Sequence, residues 1–310
     1  MRTSPRPLFS WRKTCFSFIL PLALAYSCAS VRTMPGPEPI QGALPQTKVH
    51  DLALAHMAVL GSKTPKVLVV GLDGVRPDVL KDSGLEAFLG RELPGAVFHE
   101  AFAGGVPGTD SVQATLTAPG FTSILTGVWA KDHGIESNLS RQKKIGVRSF
   151  LSQTLDKHPE RRAAILAAWE VITQGATYGE EGLYRFCPDG GYYVGDYSTK
   201  DERVVAEGIR RIEEGYDSLF LVIDRADHQG HLKGFSLESG AYHQAIAADL
   251  DDVARLVSAI KARPSYPEED WLVLLTTDHG GKGLGHGGQS PEERTTFIIS
   301  WDNQDSPLSQ

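Results

Sequence analysis

Along this chain, short apolar runs alternate with longer segments whose apolar residues recur at helical spacing. The runs are "KVLVVGLD" (66–73), "AVFHEAFAG" (96–104), "RAAILAAW" (162–169), "DSLFLVID" (217–224), "WLVLLTTD" (271–278) and "TTFIIS" (295–300). Continuous apolar runs, rather than strict alternation, are the pattern of strands buried on both faces of a parallel sheet. Between them, "SFLSQTLDK", "DERVVAEGIRRIEEG" and "SGAYHQAIAADLDDVARLVSAIKA" read as helices. In the last of these, Tyr242, Ile246, Leu250, Val253, Val257 and Ile260 share one apolar face. A short amphipathic helix, "VHDLALAHMAVLG", precedes the first strand. The alternation predicts an α/β fold, a three-layer sandwich around a mostly parallel central sheet.

The first residues depart from this pattern. "MRTSPRPLFSWRK" carries Arg2, Arg6, Arg12 and Lys13 without an acid, and "TCFSFILPLALAYSCAS" adds a short apolar core and small residues. That is the layout of a cleavable secretory signal over residues 1–29. Its apolar run falls short of the roughly 20 residues a membrane span needs, so export is preferred over an uncleaved anchor. The protein is expected in the periplasm or outside the cell. Cys28 follows "LAYS", a poor version of a bacterial lipobox, and is a candidate for a lipid anchor. Residues 30–47 are rich in proline and read as a tether, which leaves 48–310 as a single domain.

Composition adds limits more than identity. Hydrophobic content of 41% and charged content of 22% describe an ordinary globular protein. The net charge of −7 argues against a nucleic-acid-binding surface, which would carry a basic face. Of Cys15, Cys28 and Cys187, only Cys187 lies beyond the leader, so no internal disulfide framework exists there and stability must come from the core.

The chemistry gathers where strands end. Asp73 closes one apolar run, Asp278 closes another, and Asp227 lies just past a third. In open α/β sheets, ligands bind outside the carboxyl ends of the strands. Three carboxylates there would repel one another unless a cation sat among them. Histidines follow two of the three: His231 in "DHQGH", and His279 with His286 in "TTDHGGKGLGHGG". Carboxylate plus imidazole is a ligand set that suits zinc. "GLGHGG" formally matches a dinucleotide-binding fingerprint, but Pro291 and a strand follow it instead of a helix. Its glycines are read instead as letting the backbone fold back so that His286 reaches the metal. In "ATLTAPGFTSILTG" (114–127), Thr117 stands just ahead of Pro119, at or beside the start of a helix, a position that favours anions. It is a candidate nucleophile and equally a helix cap.

The segments "GLDGVRPD", "TAPGFTSILTGVWAKDHGIESN", "DHQGH" and "TTDHGGKGLGHGG" together resemble the alkaline phosphatase superfamily, most closely its nucleotide pyrophosphatase/phosphodiesterase branch. With their linking elements they cover nearly all of 66–300. The resemblance implies an alkaline-phosphatase-like fold and two zinc ions, which Mn or Fe could replace. One ion would be held by Asp73, Asp278, His279 and the Thr117 hydroxyl; the other by Asp227, His231 and His286. Asn138 would donate to a phosphoryl oxygen, joined by backbone amides near Thr117. Thr117 would attack phosphorus in line, and water would then cleave the phosphothreonine. Gly120 departs from the branch, which usually has Asn there.

The resemblance implies a small-molecule phosphate ester as substrate, with diesters or pyrophosphates, including nucleotides, preferred. Trp169 and Glu170 occupy the region where one threonine-type monoesterase group carries basic residues, although Arg141, Lys143 and Lys144 are close in sequence. The alternatives are a phosphomonoesterase or a phosphonate hydrolase of the same superfamily, and, in a different class, a metal-binding protein without activity. A sulfatase is disfavoured because no C/S-x-P-x-R run is present. His228 is expected to be exposed or supporting, and His133 structural. His50, His56, His99, His158 and His243 carry no recommending spacing, and Asp110 and Asp224 are expected to support loops. Trp169 is a candidate to pack against substrate, and the loop 187–197 is read either as lining a leaving-group pocket or as an ordinary surface loop.

Overall fold

The computed structural model describes residues 42–139, 146–188 and 197–304. Eight strands form one sheet: β1 Leu44–Pro45, β2 Thr64–Leu72, β3 Val97–Phe102, β4 Ala163–Ala167, β5 Leu183–Phe186, β6 Ser218–Ile223, β7 Glu269–Thr276 and β8 Thr295–Asp302. Their order is β1-β3-β8-β7-β2-β6-β4-β5. All neighbours run parallel except β8, which is antiparallel to both β3 and β7. The helices are α1 Lys48–Met57, α2 Pro77–Asp82, α3 Leu85–Glu92, α4 Thr117–Thr126, α5 Ala130–His133 and α6 Phe150–Lys157. Then follow α7 Tyr197–Glu213, α8 Arg225–Lys233, α9 Gly240–Lys261 and α10 Pro291–Arg294.

Alternation along β2 explains the three layers. Leu68, Val70 and Leu72 point to one face, where they pack with Val79, Phe88, Val204, Ile246 and Val253 of α2, α3, α7 and α9. Val67 and Val69 point to the other, against Val49, Phe121, Ile124 and Phe150 of α1, α4 and α6. Both faces are therefore covered, as continuous apolar strands require. The six α9 residues expected on one apolar face are all buried. Each fully buried aliphatic side chain contributes roughly 1.5–3 kcal/mol, so these two clusters carry the fold.

The six strands expected from the sequence are present, with ends displaced by a few residues. Two more appear. β1 lies inside the segment read as a tether: Leu44 and Pro45 pair with Ala101 and Phe102, so the end of that segment is tied to the sheet. A proline is tolerated there because β1 is an edge strand. β5 is the opposite edge, and its "LYRF" is too short and too polar to have registered as an apolar run. Residues 1–41, with the leader and Cys28, lie outside the described residues.

Candidate metal centre

Parallel register brings the ends of the three central strands to one edge. Gly71 pairs with Thr276 and Leu72 with Ile223, so β2, β6 and β7 stop side by side. Asp73 follows directly, its amide donating to Ile223 O at 2.9 Å. Asp278 lies two residues beyond β7. Asp227, expected just past a strand end, lies there in the first turn of α8, one turn ahead of His231 on the same helix. The chain turns sharply after β2 at Gly74, where φ is +66° and a Cβ would come within 2.6 Å of Asp227 Oδ1. Any side chain at Gly74 would push α8 away from β2.

Two clusters result. In the inner one, all of it buried, His279 Nε2 lies 3.1 Å from Asp278 Oδ2 and 3.6 Å from Asp73 Oδ1. The Thr117 hydroxyl is 3.3 Å from the same nitrogen. In the outer, half-buried cluster, His231 Nε2 lies 3.3 Å from Asp227 Oδ2 and His286 Nε2 lies 3.7 Å from Asp227 Oδ1. The clusters adjoin: the rings of His279 and His286 stack with centroids 3.8 Å apart.

The histidine tautomers decide what these clusters can hold. His231 Nδ1 lies 2.9 Å from Leu284 O, His279 Nδ1 2.8 Å from Gly280 O, and His286 Nδ1 2.9 Å from Thr115 O. A carbonyl only accepts, so each Nδ1 carries a proton, and in its neutral form each ring presents a bare Nε2. Yet His231 Nε2 and His286 Nε2 face one another at 3.1 Å. The buried oxygens Asp73 Oδ1, Asp227 Oδ1 and Asp278 Oδ2 have no hydrogen-bond partner within the protein. Lone pairs aimed at lone pairs, among orphaned carboxylate oxygens, are an arrangement that cations complete. The donor set therefore fits a metal ion in each cluster.

Charge tells the same story. Burial, and then the carboxylates of Asp278, Asp227 and Asp224, push Asp73 well above the ordinary carboxylate range. Burial and Asp227 do the same to Asp278. Burial, with His286 nearby, drives His279 well below its ordinary value, and burial also lowers His286. The pair Asp227 and His231 is the exception. Burial opposes ionisation of Asp227, but the contact with His231 and the charges of His286 and His231 hold it at about 2. Burial likewise opposes the charged form of His231, yet its contact with Asp227 raises it above the ordinary imidazole range. Protein alone thus pushes most of these groups toward neutrality, and a bound divalent cation inverts that preference.

Thr117 occupies the first position of α4, with Leu116 as N-cap and Pro119 in the first turn. Asn138 Oδ1 accepts from the Ala118 amide at 2.9 Å, which orients the Asn138 amide group and engages a backbone donor expected to serve the substrate itself. Gly120 finds a physical reason here. A Cβ at that position would lie 2.7 Å from Asp278 Cβ, so the close approach of α4 to the inner cluster excludes the Asn usual in the branch.

The supporting residues were not all visible in the sequence. Thr115, passed over as nucleophile, braces the His286 loop: its carbonyl takes the His286 proton, and its hydroxyl donates to Gly288 O and accepts from Gly287 N. Tyr242, read only as an apolar-face residue, accepts from Arg76 N and donates to Gly74 O, clamping the turn after β2. Asp201 accepts the amides of Asp224 and Arg225 at 3.1 and 2.8 Å, fixing the start of α8. Each of these roles depends on long-range proximity that leaves no local signature.

Other candidates take different roles. Trp169 is buried in the core cluster that holds Val171 and Ile172. His133 is buried, accepting from Ile135 N and facing Ser123 Oγ at 3.0 Å, a structural role. His228 stacks on Tyr197 at 4.8 Å. His56 bonds Asp270 O at the opposite edge of the sheet, and Asp110 pairs with Lys131 on the surface. Asp224 is not a loop support: it is buried at the start of α8, both carboxylate oxygens lacking hydrogen-bond donors, and burial with Asp227 pushes it up to about 7. Arg141, Lys143, Lys144 and residues 189–196 lie outside the described residues.

With this geometry in hand, comparison with known proteins is informative. The family profile described as type I phosphodiesterase / nucleotide pyrophosphatase matches residues 67–286. No individual curated protein sequence matches the chain. Among solved structures, an inactive murine ectonucleotide pyrophosphatase/phosphodiesterase 5 in complex with AMP aligns with TM-score 0.50 and 18% identity, over 70% of this chain and 57% of that one. BT1596, a 2-O GAG sulfatase, aligns with TM-score 0.52 and 10% identity, over 76% and 64%. A sulfatase candidate from Bacteroides thetaiotaomicron gives TM-score 0.54 and 10% identity, over 78% and 64%. The chain thus spans less than two thirds of the length of these structures, and at such identities they speak to the fold alone. The profile match covers most of the chain, and the chain belongs to the type I phosphodiesterase / nucleotide pyrophosphatase family of the alkaline phosphatase superfamily.

Proposed function

We propose that this protein is an exported two-zinc phosphohydrolase that cleaves phosphodiester or pyrophosphate bonds through a phosphothreonine intermediate. The observation that carries this reading is the adjoining pair of clusters of imidazole Nε2 atoms and orphaned carboxylate oxygens, the inner of which lies against the Thr117 hydroxyl. Export rests on the leader sequence alone. When bound, divalent cations supply Lewis-acid neutralisation of the phosphoryl oxygens and favour the ionised hydroxyl. Mn or Fe could take the place of zinc.

The chain's own residues set the geometry of the reaction. Thr117 Oγ1, held at the start of α4, attacks phosphorus, and the P–O bond to the leaving alcohol or phosphate breaks opposite to it. Thr117 lies by the inner cluster, so an in-line path sends the leaving oxygen toward Asp227, His231 and His286. Asn138, with its Oδ1 held by the Ala118 amide, keeps its amide hydrogens for an equatorial oxygen. Water entering on the leaving-group side then breaks the phosphothreonine ester, returning the hydroxyl. The substrate is a small phosphate ester, and a nucleotide is compatible with the family.

The test is a kinetic comparison of bis-aryl phosphate, aryl phosphate and a nucleoside triphosphate on zinc-loaded protein. The reading expects the bis-aryl phosphate or the triphosphate to be hydrolysed well ahead of the monoester. Preference for the monoester would reassign the protein as a phosphomonoesterase, and no turnover of any of the three would refute an enzymatic role.

A further inference from the structure

The turn before β2 carries the most exposed large apolar side chain among the described residues. Leu60 is 95% exposed, and Val59 beside it is 41% exposed. α1 ends at Met57 and β2 begins at Thr64, so this turn sits at the start of β2. The candidate metal centre lies at the other end of that strand, roughly 25 Å away at about 3.3 Å per residue.

A single exposed leucine is ordinary. The surroundings of this one point to a ligand. Val59 and Leu60 line one open groove of about 470 Å³ together with Pro65, Lys63 and Arg161, and no acid lines it. Lys63 donates to the side-chain oxygen of Gln304 at 2.5 Å. Arg161 uses Nη1 alone, on Pro65 O at 3.3 Å and Met57 Sδ at 3.9 Å. Among the described residues, neither cation meets a carboxylate. Neighbouring acids are turned elsewhere. Glu160, next to Arg161 in the chain, pairs with His158 at 3.5 Å, and Asp270, opposite Pro65 in the sheet, faces His56 at 4.0 Å.

We propose that this end of the molecule docks on a membrane surface that carries anionic phospholipid. Val59 and Leu60 enter the boundary between headgroups and acyl chains, while Lys63 and Arg161 meet the lipid phosphates. Arg161 suits that part, because its unused Nε and Nη2 can donate side by side to two phosphate oxygens. An apolar tip beside two cations, with no acid among them, is complementary to an anionic amphiphile. A second copy of the chain fits less well: an isologous contact through this groove would set Lys63 and Arg161 against their own counterparts. The chain carries a net charge of −7, so an anionic bilayer repels it as a whole and a basic, acid-free groove sets the orientation of approach. The candidate metal centre, at the far end of β2, then faces water. This docking is independent of the reaction carried out there.

The experiment mixes the full chain with vesicles of phosphatidylcholine, alone or with an equal part of phosphatidylglycerol, and reads sedimentation and amide hydrogen exchange. The apolar leader contributes equally in every variant, so ratios between variants isolate the groove. On the mixed vesicles, exchange across 58–64 is expected to slow. Val59→Ser/Leu60→Ser should weaken partitioning by about tenfold, as two partly inserted side chains return to water. Arg161→Gln should weaken it by about fivefold on the mixed vesicles and leave it unchanged on phosphatidylcholine. Sedimentation with unchanged exchange across 58–64 would place the contact in the leader and overturn the docking, a result read on the natural protein and so free of any folding defect in a variant. Variants that partition like the natural protein, equal binding to both vesicle types, or no sedimentation with either would overturn it too. Slowed exchange that follows protein concentration without vesicles, with a larger mass in solution, would assign the patch to a second copy and reject the membrane.

Discussion

The three histidines of the clusters are fixed by backbone carbonyls, so the local chain, rather than a chance of side-chain packing, sets which nitrogen faces the centre. Individual substitutions should therefore separate the roles. Thr117→Ala removes the attacking hydroxyl and leaves the carboxylates and imidazoles in place. Turnover should fall by at least ~10³-fold, in the range typical of lost nucleophiles, while metal content measured by mass spectrometry stays unchanged. Turnover retained in this variant would remove Thr117 from the mechanism. His231→Ala or His286→Ala should each lose one equivalent of metal, that of the outer cluster, and keep the buried inner one. His133 makes a separate prediction. Burial lowers it from 6.5 to about 4, so the folded protein takes up this proton later than the unfolded chain does. Stability from His133 is complete above pH 6.5, is lost as pH falls toward 4, and changes no further below that. His133→Gln should flatten that part of the pH dependence of the unfolding free energy, by up to roughly 2–3 kcal/mol.

At the scale of elements, the outer cluster is only as firm as α8. That helix is pinned at its start by Asp201 and on its flank by Arg225, whose guanidinium bonds Asp249 and Asp252 of α9 at 2.8 Å each. Asp201→Ala should cost about 1–2 kcal/mol, as loss of a helix cap does. It should also weaken the outer metal by tenfold or more and the inner metal by much less; equal weakening of both would deny α8 this role. The strands and α9 were legible because burial on two faces, or on one helical stripe, writes itself into consecutive residues. β1, β5 and the short helices α2, α5 and α10 were not, since two to six residues hold too little periodicity. The placement of Asp227 shows a further limit. Its sequence position past β6 was right, but the helix that carries it begins at once, and no loop intervenes.

For the molecule as a whole, the candidate metal centre is where the fold concentrates its unfavourable electrostatics. Asp73, Asp278 and Asp224 are buried together at one sheet edge, and the protein supplies few donors to their oxygens. Two cations, each at about 100 times its dissociation constant, would stabilise the folded state by roughly 5 kcal/mol, or about 10 °C or more in melting temperature. Chelation should therefore lower the melting temperature by that amount and re-addition of zinc restore it; a melting curve indifferent to chelator would contradict the assignment. The members of the two side-chain clusters could be named from the sequence because acids and imidazoles recur at predicted strand ends. The braces behind it, Thr115, Tyr242 and Asp201, came only with three-dimensional proximity, as did the reason for Gly120.

Anomalous diffraction from zinc-loaded crystals, collected on both sides of the zinc edge, tests the central claim most directly. Two zinc peaks are predicted, one bonded by Asp73, Asp278 and His279 beside Thr117, the other by Asp227, His231 and His286. A single peak, or peaks bonded to other residues, would contradict the account.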